Sequence, residues 1–358
     1  MNSYTVRKER YIDFYSQHPD ICIFSSPWWL DAVCGVDNWD VIIIEKNGHI
    51  QATFPYYINK GKLGMKSISM PMLTQKMGPY IVYEKNLTSV PKRISYEHDI
   101  YERIISAMPK FSSFNINFSQ EYKNWLPFYW RGFSQTTRYS YQIHNIKNHE
   151  NVLKNFTKSK KYEVPKARKV LTLKYDLPAD DFYDYFMAVV KGRKDTVSYS
   201  RELFKNIYEA VYKNNAGRCF YCEDSLGNIH AINLTVWDNK TAYYLIAMRK
   251  KEFNTSGGTE FLVYETIKYV SQFVDTFDFE GSMMKGVEAS YRNYGGVQTE
   301  YYNISKDNNT LIPLVRDGLH LLSAIKHKIM RGGVQQYSIT VARLPCTATS
   351  GGAYAFAA

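Results

Sequence analysis

One order of predicted elements occurs twice in this chain of 358 residues: strand, turn, strand, strand, helix, strand. In the first copy, Asn47-Gly48 joins predicted strands over residues 39–45 and 49–58, and this dipeptide is the strongest short signal of a hairpin. In the second copy, a turn around Gly227 joins the corresponding strands. Because an internal repeat decides the architecture of a whole chain, this order predicts two copies of one α/β unit in tandem.

An ungapped comparison gives the register of the repeat. Residues 101–139 align with residues 264–302 at an offset of 163, and nine of these positions are identical. The identical positions include the glycine pair Gly132 and Gly295, while the earlier hairpins align at a different offset. The alignment runs through a predicted helix, the strand after it and the following loop, so it covers the later part of one unit.

Composition divides the chain into three parts. We predict a first unit over residues 1–145 and a second unit over 146–331, which begins with a basic linker helix. The linker carries seven lysines and arginines between residues 154 and 169, and these fit either contact with RNA or nucleotide phosphates or a solvated helix face. Residues 332–358 are rich in Gly, Ala, Ser and Thr and lack periodicity, which predicts a disordered or foreign tail.

The formal net charge of the chain is +11. Such an excess of cations favours anionic partners, for example phosphates, nucleotides or RNA, although a solvated basic surface explains the same balance. No apolar stretch reaches the length of a membrane span, and the charged N-terminus lacks the apolar segment of a secretory signal. We therefore expect a cytoplasmic protein without a membrane span. The sequence carries no signal of an oligomeric state.

Five cysteines are scattered along the chain, and this odd, irregular set predicts no disulfide framework. Cys219 and Cys222 form a CxxC inside a predicted strand, without a second ligand pair at zinc spacing. We therefore predict buried strand cysteines and no metal site. No Ser-His-Asp or Cys-His arrangement stands out either, which favours direct attack on a bound donor over a covalent mechanism.

Several short segments together resemble the Fem-like branch of the GNAT superfamily. They are FDFEGSM at residues 277–283, YRNYGG at 291–296, GNIHA at 227–231 with AYYL at 242–245, and KMGPY at 76–80. The resemblance spans residues 20–305. It implies an α/β fold with mixed (α+β) sheets, in which the two predicted units are two tandem GNAT-like domains.

This branch contains the peptidoglycan-bridge aminoacyltransferases and related bacterial acyltransferases. The resemblance therefore implies a bacterial N-acyltransferase that moves an acyl or aminoacyl group from CoA or tRNA to an amine. It implies acyl-CoA or aminoacyl-tRNA as co-substrate, no tightly bound cofactor, and a small molecule or a cell-wall precursor as acceptor. The chain lacks a heptad run for the long coiled-coil arm through which some Fem enzymes could contact tRNA. The alternative is a degenerate GNAT pair that binds RNA or a nucleotide sugar.

A glycine-containing turn precedes the helix predicted over residues 259–273. Backbone N–H groups and the helix dipole favour an anion at such a place, so a phosphate-bearing donor would bind at Asn254, Ser256, Gly257 and Gly258. The alternative is an N-capping turn whose glycines supply flexibility.

The two copies differ in their acids. A strand predicted over residues 276–280 places Asp278 and Glu280 on one face, whereas the first copy has amides, Asn115 and Asn117, at these positions. A carboxylate accepts a proton from an attacking ammonium and an amide does not, so we predict Asp278 and Glu280 as catalytic residues. Capping of the next helix by Glu280 or Ser282 is the alternative.

Two further groups of residues complete the predicted site. Tyr291 can donate to an oxyanion and Arg292 can bind phosphate of the donor, although a surface role explains both equally well. The segment at 76–80 resembles the RGP segment of the Fem enzymes, with Lys76 and the following methionine in place of the arginine. The resemblance implies Lys76, Gly78 and Tyr80 as substrate-binding residues.

Overall fold

The computed structural model describes residues 5–61, 65–85, 87–193, 199–281 and 283–308. Its first half contains helices α1 (Val6–Gln17), α2 (Pro27–Cys34), α3 (Val90–Ala107) and α4 (Leu126–Trp130), and strands β1 (Trp39–Lys46), β2 (His49–Lys60), β3 (Lys66–Ser69), β4 (Tyr80–Ile81), β5 (Ser113–Asn117) and β6 (Ser134–His144). Its second half contains helices α5 (His149–Asn155), α6 (Lys158–Ala167), α7 (Ala179–Arg193), α8 (Arg201–Lys213), α9 (Gly258–Val270) and α10 (Lys285–Tyr291). The strands of this half are β7 (Thr172–Tyr175), β8 (Gly217–Glu223), β9 (Ile229–Trp237), β10 (Thr241–Arg249), β11 (Thr276–Asp278) and β12 (Val297–Asp307).

Twelve strands form one mixed sheet in the described part of the chain. Their order is β1-β2-β3-β5-β12-β6-β11-β10-β9-β8-β7, and β4 pairs with β2 off this path. From the central pair, β12 and β6, the order runs outward as β5, β3, β2, β1 on one side and as β11, β10, β9, β8 on the other. The sheet is therefore a duplicated arrangement, with one copy on each side of its centre.

The central pair shows how the two copies are related. β6 and β12 differ by the 163 residues of the sequence repeat at both ends, since 297 − 134 = 163 and 307 − 144 = 163. They pair antiparallel, and Arg138 lies opposite Tyr301, which is the residue 163 positions later. Arg138 and Tyr301 thus mark the position of a pseudo-two-fold axis that relates the two strands.

The two units exchange their last strands around this axis. β12 pairs with β5 of the first half, and β6 pairs with β11 of the second half. Each unit's sheet is therefore completed by a strand of the other. The boundary between residues 145 and 146 stays a prediction about the sequence, but the strand pairing crosses it in both directions.

Left-handed backbone appears where the sequence predicts turns. Asn47 and Gly48 have φ angles of 53° and 80°, as a two-residue hairpin turn between β1 and β2 requires, and the predicted hairpin is confirmed. Gly132 and Gly295, the identical pair of the repeat, have φ angles of 77° and 74° just before the exchanged strands. An added Cβ at Gly295 would lie 2.5 Å from the backbone oxygen of Asn155, so glycine is required there for space as well.

Two elements differ from their sequence predictions. The strand expected over residues 276–280 ends at Asp278, because Glu280 has a φ of 60°, which interrupts an extended strand. The basic linker expected as one helix forms two, α5 and α6, because the chain between them turns to bury Phe156 in the core. The predicted tail over residues 332–358 lies outside the described residues.

The basic helix α6 packs against α9. The Lys160 ammonium lies 2.6 Å from a carboxylate oxygen of Glu260, and Arg168 donates to Glu265. The cations of this stretch are therefore partly used in holding two helices together.

Helices cover both faces of the second half of the sheet. On one face, Leu245 of β10 shares a core with Phe182 of α7 and with Trp29 of α2, so this core is common to both units. On the other face, Tyr244 and Ala247 of β10 pack with α9. The site described below lies in the layer between these two cores.

Cys219 and Cys222 are both buried on β8, as predicted. They belong to cores on opposite faces of the sheet, because residues three apart in a strand point in opposite directions. The CxxC therefore brings no pair of thiols together.

Candidate active site

The parallel strands β10 and β11 separate in the middle of the sheet. Their pairing covers three residue pairs and ends at Tyr243 and Asp278. The chain after β11 stays beside β6, where the Phe279 N–H donates to the Tyr141 carbonyl at 3.0 Å. β10 continues beside β9 to its last residue. A gap between two parallel strands therefore opens directly after Asp278.

A narrow cleft of about 20 Å³, the space of one water molecule, lies along β10 beyond this point. Its walls include Tyr244, Ala247, Arg249, Thr259, Tyr291 and Tyr294. Two polar atoms of these residues, Thr259 Oγ1 and Arg249 Nε, are buried and have no hydrogen-bond partner among the described residues. A ligand that entered the cleft would therefore find a hydroxyl and a guanidinium N–H with unused hydrogen-bonding capacity.

The predicted donor turn forms the N-terminus of α9. Gly257 is the N-cap residue and has a φ of 71°. Ser256 Oγ accepts from the Gly258 N–H at 3.2 Å and donates to the Phe253 carbonyl at 2.9 Å. The turn therefore has the capping role that the sequence left open, and whether it also binds phosphate stays a prediction.

An acidic side chain approaches the same turn. An added Cβ at Gly257 would lie 2.9 Å from Glu163 Oε2, so both the φ angle and the close packing require glycine. A carboxylate at a helix N-terminus stabilises the helix, and it opposes a second anion at the same place.

A basic cavity of about 460 Å³ lies between the end of α7 and the loop that follows β10. Four cations and one acid line it, with Asn254 at its edge: Arg193, Arg249, Lys250, Lys251 and Glu252. Arg249 lines both this cavity and the narrow cleft. The two spaces therefore meet at one guanidinium.

A buried ion pair joins the two units beside the gap between the strands. Lys76 Nζ lies 2.5 Å from Asp278 Oδ2, and the two side chains are 2% and 0% exposed. Lys76 also donates to Gln120 Oε1 at 2.9 Å. The Asp278 carboxylate accepts three further hydrogen bonds, from the Ser140 hydroxyl, from the Gln142 amide at 2.8 Å and from the backbone N–H of Glu280 at 2.7 Å.

The pKa values of the two carboxyls, Asp278 and Glu280, are shifted in opposite directions. Burial raises the pKa of Asp278, but the Lys76 ammonium and the hydrogen bonds from neighbouring side chains outweigh it, and the pKa lies below its ordinary value. Burial lowers the pKa of Lys76, and the charge of Asp278 reverses this, so the pKa is raised. For Glu280, burial and then the charge of Asp278 hold the pKa well above its ordinary value, against the attraction of Lys76. The pKa values of the two carboxyls are thus shifted in opposite directions, a division typical of acid–base sites.

Glu280 is strained, buried and incompletely hydrogen-bonded. It is 2% exposed, and its Oε1 atom has no hydrogen-bond partner in the part of the chain that the structure describes. The left-handed backbone at Glu280 is followed by a second positive φ at Gly281, where an added Cβ would lie 2.0 Å from the Tyr139 carbonyl oxygen. Residues with a strained backbone cluster at functional sites, so the strain at Glu280 supports a functional role for this segment.

The amides of the first copy lie in the same polar network as the acids of the second. Asn303 donates to Asn115 Oδ1 at 2.8 Å and to Asn117 Oδ1 at 2.9 Å. Asn117 donates to the Gln75 carbonyl at 3.0 Å, and the Gln75 side chain donates to the backbone carbonyl of Glu280. The positions that the repeat makes equivalent are therefore joined through space as well.

Tyr291 lies in the wall of the cleft, with its ring stacked on Phe279 at 4.8 Å between centroids. Burial raises the pKa of Tyr291, and the neighbouring Tyr244, Glu280 and Asp278 add to the effect. Tyr291 is thus close enough to both carboxyls to feel their charge. Its role as an oxyanion donor stays a prediction.

One of the three predicted substrate-binding residues, Lys76, lies in the buried ion pair with Asp278. Gly78 has a φ of 113°, and an added Cβ would lie 2.9 Å from the Phe118 ring, so this glycine is required by packing. The Tyr80 hydroxyl donates to the Asp20 carboxylate at 2.9 Å. The structure therefore shows local structural reasons for Gly78 and Tyr80, and a contact of either with substrate stays a prediction.

Arg292 is 60% exposed and lies 3.7 Å from Glu288, which accepts a hydrogen bond from Tyr141 at 2.6 Å. The structure does not place Arg292 in the wall of the cleft.

Several polar residues of the site escaped the sequence analysis. Ser140 and Gln142 alternate on β6 and point to the same buried carboxylate, so polar residues two apart inside an otherwise apolar strand were the available signal. The run Arg249-Lys250-Lys251 directly precedes the glycine turn and was the signal for the basic cavity.

Residues 149–291 match the family model described as an acetyltransferase (GNAT) domain. The matched segment contains β10, β11, both carboxyls and every residue of the cleft wall except Tyr294. Residues 149–291 are therefore similar to a GNAT domain, and the match covers less than half of the chain. The first unit repeats the strand order of this GNAT domain around the pseudo-two-fold axis, so the predicted α/β fold with two tandem GNAT-like domains is confirmed.

Solved structures similar to the whole chain include the crystal structure of FemX, which is 15% identical, has a TM-score of 0.63, and is matched over 84% of this chain and 97% of that chain. L-PGS from Bacillus licheniformis is 10% identical with a TM-score of 0.50, over 88% and 96% of the two chains. A conserved protein of unknown function from Bacteroides thetaiotaomicron VPI-5482 is 11% identical with a TM-score of 0.50, over 82% and 97%. No curated protein sequence matches the chain. At these identities the likeness is one of fold, and at that level the resemblance to the Fem-like branch is confirmed.

Among the described helices, none combines the length and the apolar character that a membrane crossing needs. The same residues contain no group of three or more His, Cys, Asp or Glu side chains placed to hold a metal ion.

Proposed function

We propose that this chain is an N-acyltransferase that moves an acyl group from acyl-CoA to an amine acceptor. One juxtaposition carries the proposal: a narrow cleft lies along β10 beyond the point where β10 and β11 separate, and Tyr291 in its wall is close enough to Glu280, a buried carboxyl with an unpartnered oxygen, to feel its charge. The fold supports acyl transfer, and this juxtaposition supplies a place for the donor and a group that can take a proton.

The donor is proposed to bind along β10. An acyl-CoA has an anionic nucleotide end and a thin arm that carries the thioester. The anionic end fits the basic cavity and the turn at Asn254, and the arm is proposed to enter the cleft that meets the cavity at Arg249 and to widen it, since its present space is that of one water molecule. The N-terminus of α9 at Gly258 adds backbone N–H groups to this path.

The reaction is proposed as a direct attack. The acceptor amine attacks the thioester carbonyl, a C–N bond forms, the C–S bond breaks, and the proton of the amine passes through Glu280 to the departing thiolate. Burial and the charge of Asp278 raise the pKa of Glu280, so its ionised form is a stronger base than an exposed glutamate. Asp278 remains paired with Lys76 and is a positioning residue in this scheme, while Tyr291 is proposed to donate to the oxyanion.

The acceptor is proposed to be a small amine or a cell-wall precursor such as a peptidoglycan intermediate. Because acyl-CoA is made in the cytoplasm, the proposal includes a cytoplasmic location in a bacterium. Aminoacyl-tRNA is the competing donor, and a module that binds RNA or a nucleotide sugar is the competing function. The ion pairs that Lys160 and Arg168 make with α9 leave fewer cations of α6 for RNA, which favours CoA.

Thermal-shift measurements with acetyl-CoA, an aminoacyl-tRNA and a nucleotide-linked cell-wall precursor separate these functions. We expect acetyl-CoA at 100 times its Kd to stabilise the protein by about 2.7 kcal/mol. Lys251→Gln should weaken this binding, whereas Lys92→Gln, an exposed lysine on α3, should leave it unchanged. Glu163→Gln should strengthen it, because a carboxylate beside the donor turn is removed. Stabilisation by RNA of any sequence, without product, would favour the binding module.

Turnover of Glu280→Gln tests the chemistry. Burial and the charge of Asp278 raise the pKa of Glu280 and so disfavour its charged form, which means that a neutral amide of the same shape should leave folding intact. Loss of a general base costs about 100-fold or more in rate. An unchanged kcat in Glu280→Gln, with acetyl-CoA binding retained, would remove Glu280 from the mechanism and leave the donor site standing.

A further inference from the structure

A cavity of about 620 Å³ lies at the end of β10 opposite to the cleft. Its lining comes from the turn between β9 and β10, the end of α9, the connection between α8 and β8, and the segment from α1 to α2. The cleft wall begins at Tyr244, roughly 10 Å from the start of β10 at about 3.3 Å per residue, and no residue lines both spaces. This cavity is therefore distinct from the proposed donor site, and both units contribute to it.

Aromatic rings dominate the apolar part of the lining: Tyr15, Trp28, Tyr212, Trp237, Tyr269 and Phe273. Several of these rings pack against other aromatic rings. The centroids of Trp237 and Phe273 are 4.9 Å apart, those of Tyr269 and Phe273 are 5.8 Å apart, and Trp28 packs on Trp29 at 5.8 Å. Phe273 is nevertheless 42% exposed. The cavity thus presents a preorganised set of rings to solvent.

The charged residues of the lining are already paired. Arg218 binds both carboxylate oxygens of Asp176, at 2.9 and 2.8 Å, and donates to the Tyr269 hydroxyl at 2.8 Å. The Asp238 carboxylate accepts from two backbone N–H groups of its own turn and from the Tyr243 hydroxyl, each at 2.9 Å. A ligand recognised through its charge would have to compete with these contacts.

The unused polar groups of the lining are neutral. Asn214 and Asn239 each donate to a backbone carbonyl, and their side-chain oxygens have no partner among the residues described. The side-chain amide of Asn215 and the indole N–H of Trp28 make no hydrogen bond to any residue that the structure describes. Three amides and an indole N–H provide both donors and acceptors, but no charge.

We infer that this cavity is a binding site for carbohydrate, namely a neutral sugar or a short neutral oligosaccharide. A sugar ring combines hydroxyl groups, which amides bind as donors and acceptors, with C–H faces that pack on aromatic rings. A charged ligand would find its counter-charges occupied, and a wholly apolar ligand would leave the amides unpaired. The inference is independent of acyl transfer, since no residue of the donor cleft or of the carboxyl pair takes part.

Binding is tested with maltotriose, cellotriose and an N-acetylglucosamine trimer, with adenosine and uridine as aromatic competitors of different chemistry. Saturation-transfer NMR on the full chain detects contact, and tryptophan fluorescence titration gives Kd, because Trp28 and Trp237 line the cavity. We expect at least one of the oligosaccharides to bind, and Trp28→Ala to weaken that binding about tenfold through loss of a stacking ring.

Two further variants make the test specific. Phe273→Ala removes an exposed ring from the wall contributed by the second unit, so it should weaken sugar binding about threefold with little effect on folding. Trp130→Ala, which removes a 57% exposed tryptophan on α4 outside the cavity, should leave Kd unchanged. Absence of binding by all three sugars, binding of a nucleoside in their place, or an equal loss in Trp130→Ala would overturn the inference.

Discussion

The ion pair between Lys76 and Asp278 provides the sharpest test of how the two units are held together. The pair links residues 202 positions apart in the chain, and both side chains are buried. We consider Lys76→Met, Asp278→Asn and the double variant. Each single change leaves one charge in the interior without its counter-charge, whereas the double change removes both charges and keeps similar volumes.

The partners that remain after each change set its magnitude. In Lys76→Met, the Asp278 carboxylate keeps the hydrogen bonds from Ser140, Gln142 and a backbone N–H, so the loss should be about 3 kcal/mol. In Asp278→Asn, the buried Lys76 ammonium keeps only a neutral acceptor, Gln120 Oε1, from its present partners, so the loss should be about 5 kcal/mol. The double variant buries no charge and should cost less than the sum, with a coupling of about 3 kcal/mol.

Urea unfolding at pH 7, followed by circular dichroism, gives the free energies of unfolding. The control is the exposed pair of Lys123 and Glu300, which also joins the two halves, at 3.0 Å, and whose coupling should be below about 1 kcal/mol. A loss below about 1 kcal/mol in Lys76→Met, or a coupling no larger than that of the control pair, would refute this reasoning.

The same pair has a defined pH window. The pKa of Asp278 is lowered on folding, so its contribution is present above the ordinary value near 3.8 and is lost as the pH falls through the lowered pKa. The pKa of Lys76 is raised, so its contribution is present below the ordinary value near 10.5 and is lost as the pH rises through the raised pKa. The stabilisation by the pair should therefore be present throughout the range between these limits and fall beyond each of them.

Two further predictions concern the segment after β11. Burial and the charge of Asp278 raise the pKa of Glu280, so a rate that needs its ionised form should still rise with pH well above the ordinary pKa near 4.5. Glu280→Gln should abolish this rise. Measurement of kcat between pH 5 and 9 checks the prediction, and a flat wild-type profile contradicts it. Gly281→Ala should lower the free energy of unfolding by about 3 kcal/mol or more, because the new Cβ would lie 2.0 Å from the Tyr139 carbonyl oxygen. Gly48→Ala, also at positive φ but with no atom within 4 Å, should cost about 1 kcal/mol, and equal losses in urea unfolding would argue against a steric cause.

The repeat could be read from the sequence because its glycines mark equivalent turns. Gly132 and Gly295 adopt the same left-handed conformation, and few other residues tolerate it. The exchange of β6 and β12 could not be read, because these strands are equivalent in the repeat. Pairing within a unit and pairing between units bury the same alternating side chains and leave the same pattern in the sequence.

The candidate site was predictable in part for the same reason. Comparing the copies pointed to Asp278 and Glu280, since amides stand at Asn115 and Asn117. Their opposite pKa shifts depend on burial and on Lys76, which lies far away in the chain, so local sequence contains no sign of them. The end of the strand at Asp278 was missed because the alternation of apolar and acidic residues continues through Glu280 while the backbone does not.

The strand exchange has a consequence for how such a chain can arise. Two separate copies of one unit, exchanging last strands around a two-fold axis, would build the same central sheet as a homodimer. Fusion of two gene copies would then add a covalent tether and require no new contact at the centre. The tether also frees the copies from being identical, since each position is now encoded twice. A carboxylate pair can thus stand at Asp278 and Glu280 while amides stand at the equivalent positions, Asn115 and Asn117, which no homodimer could achieve.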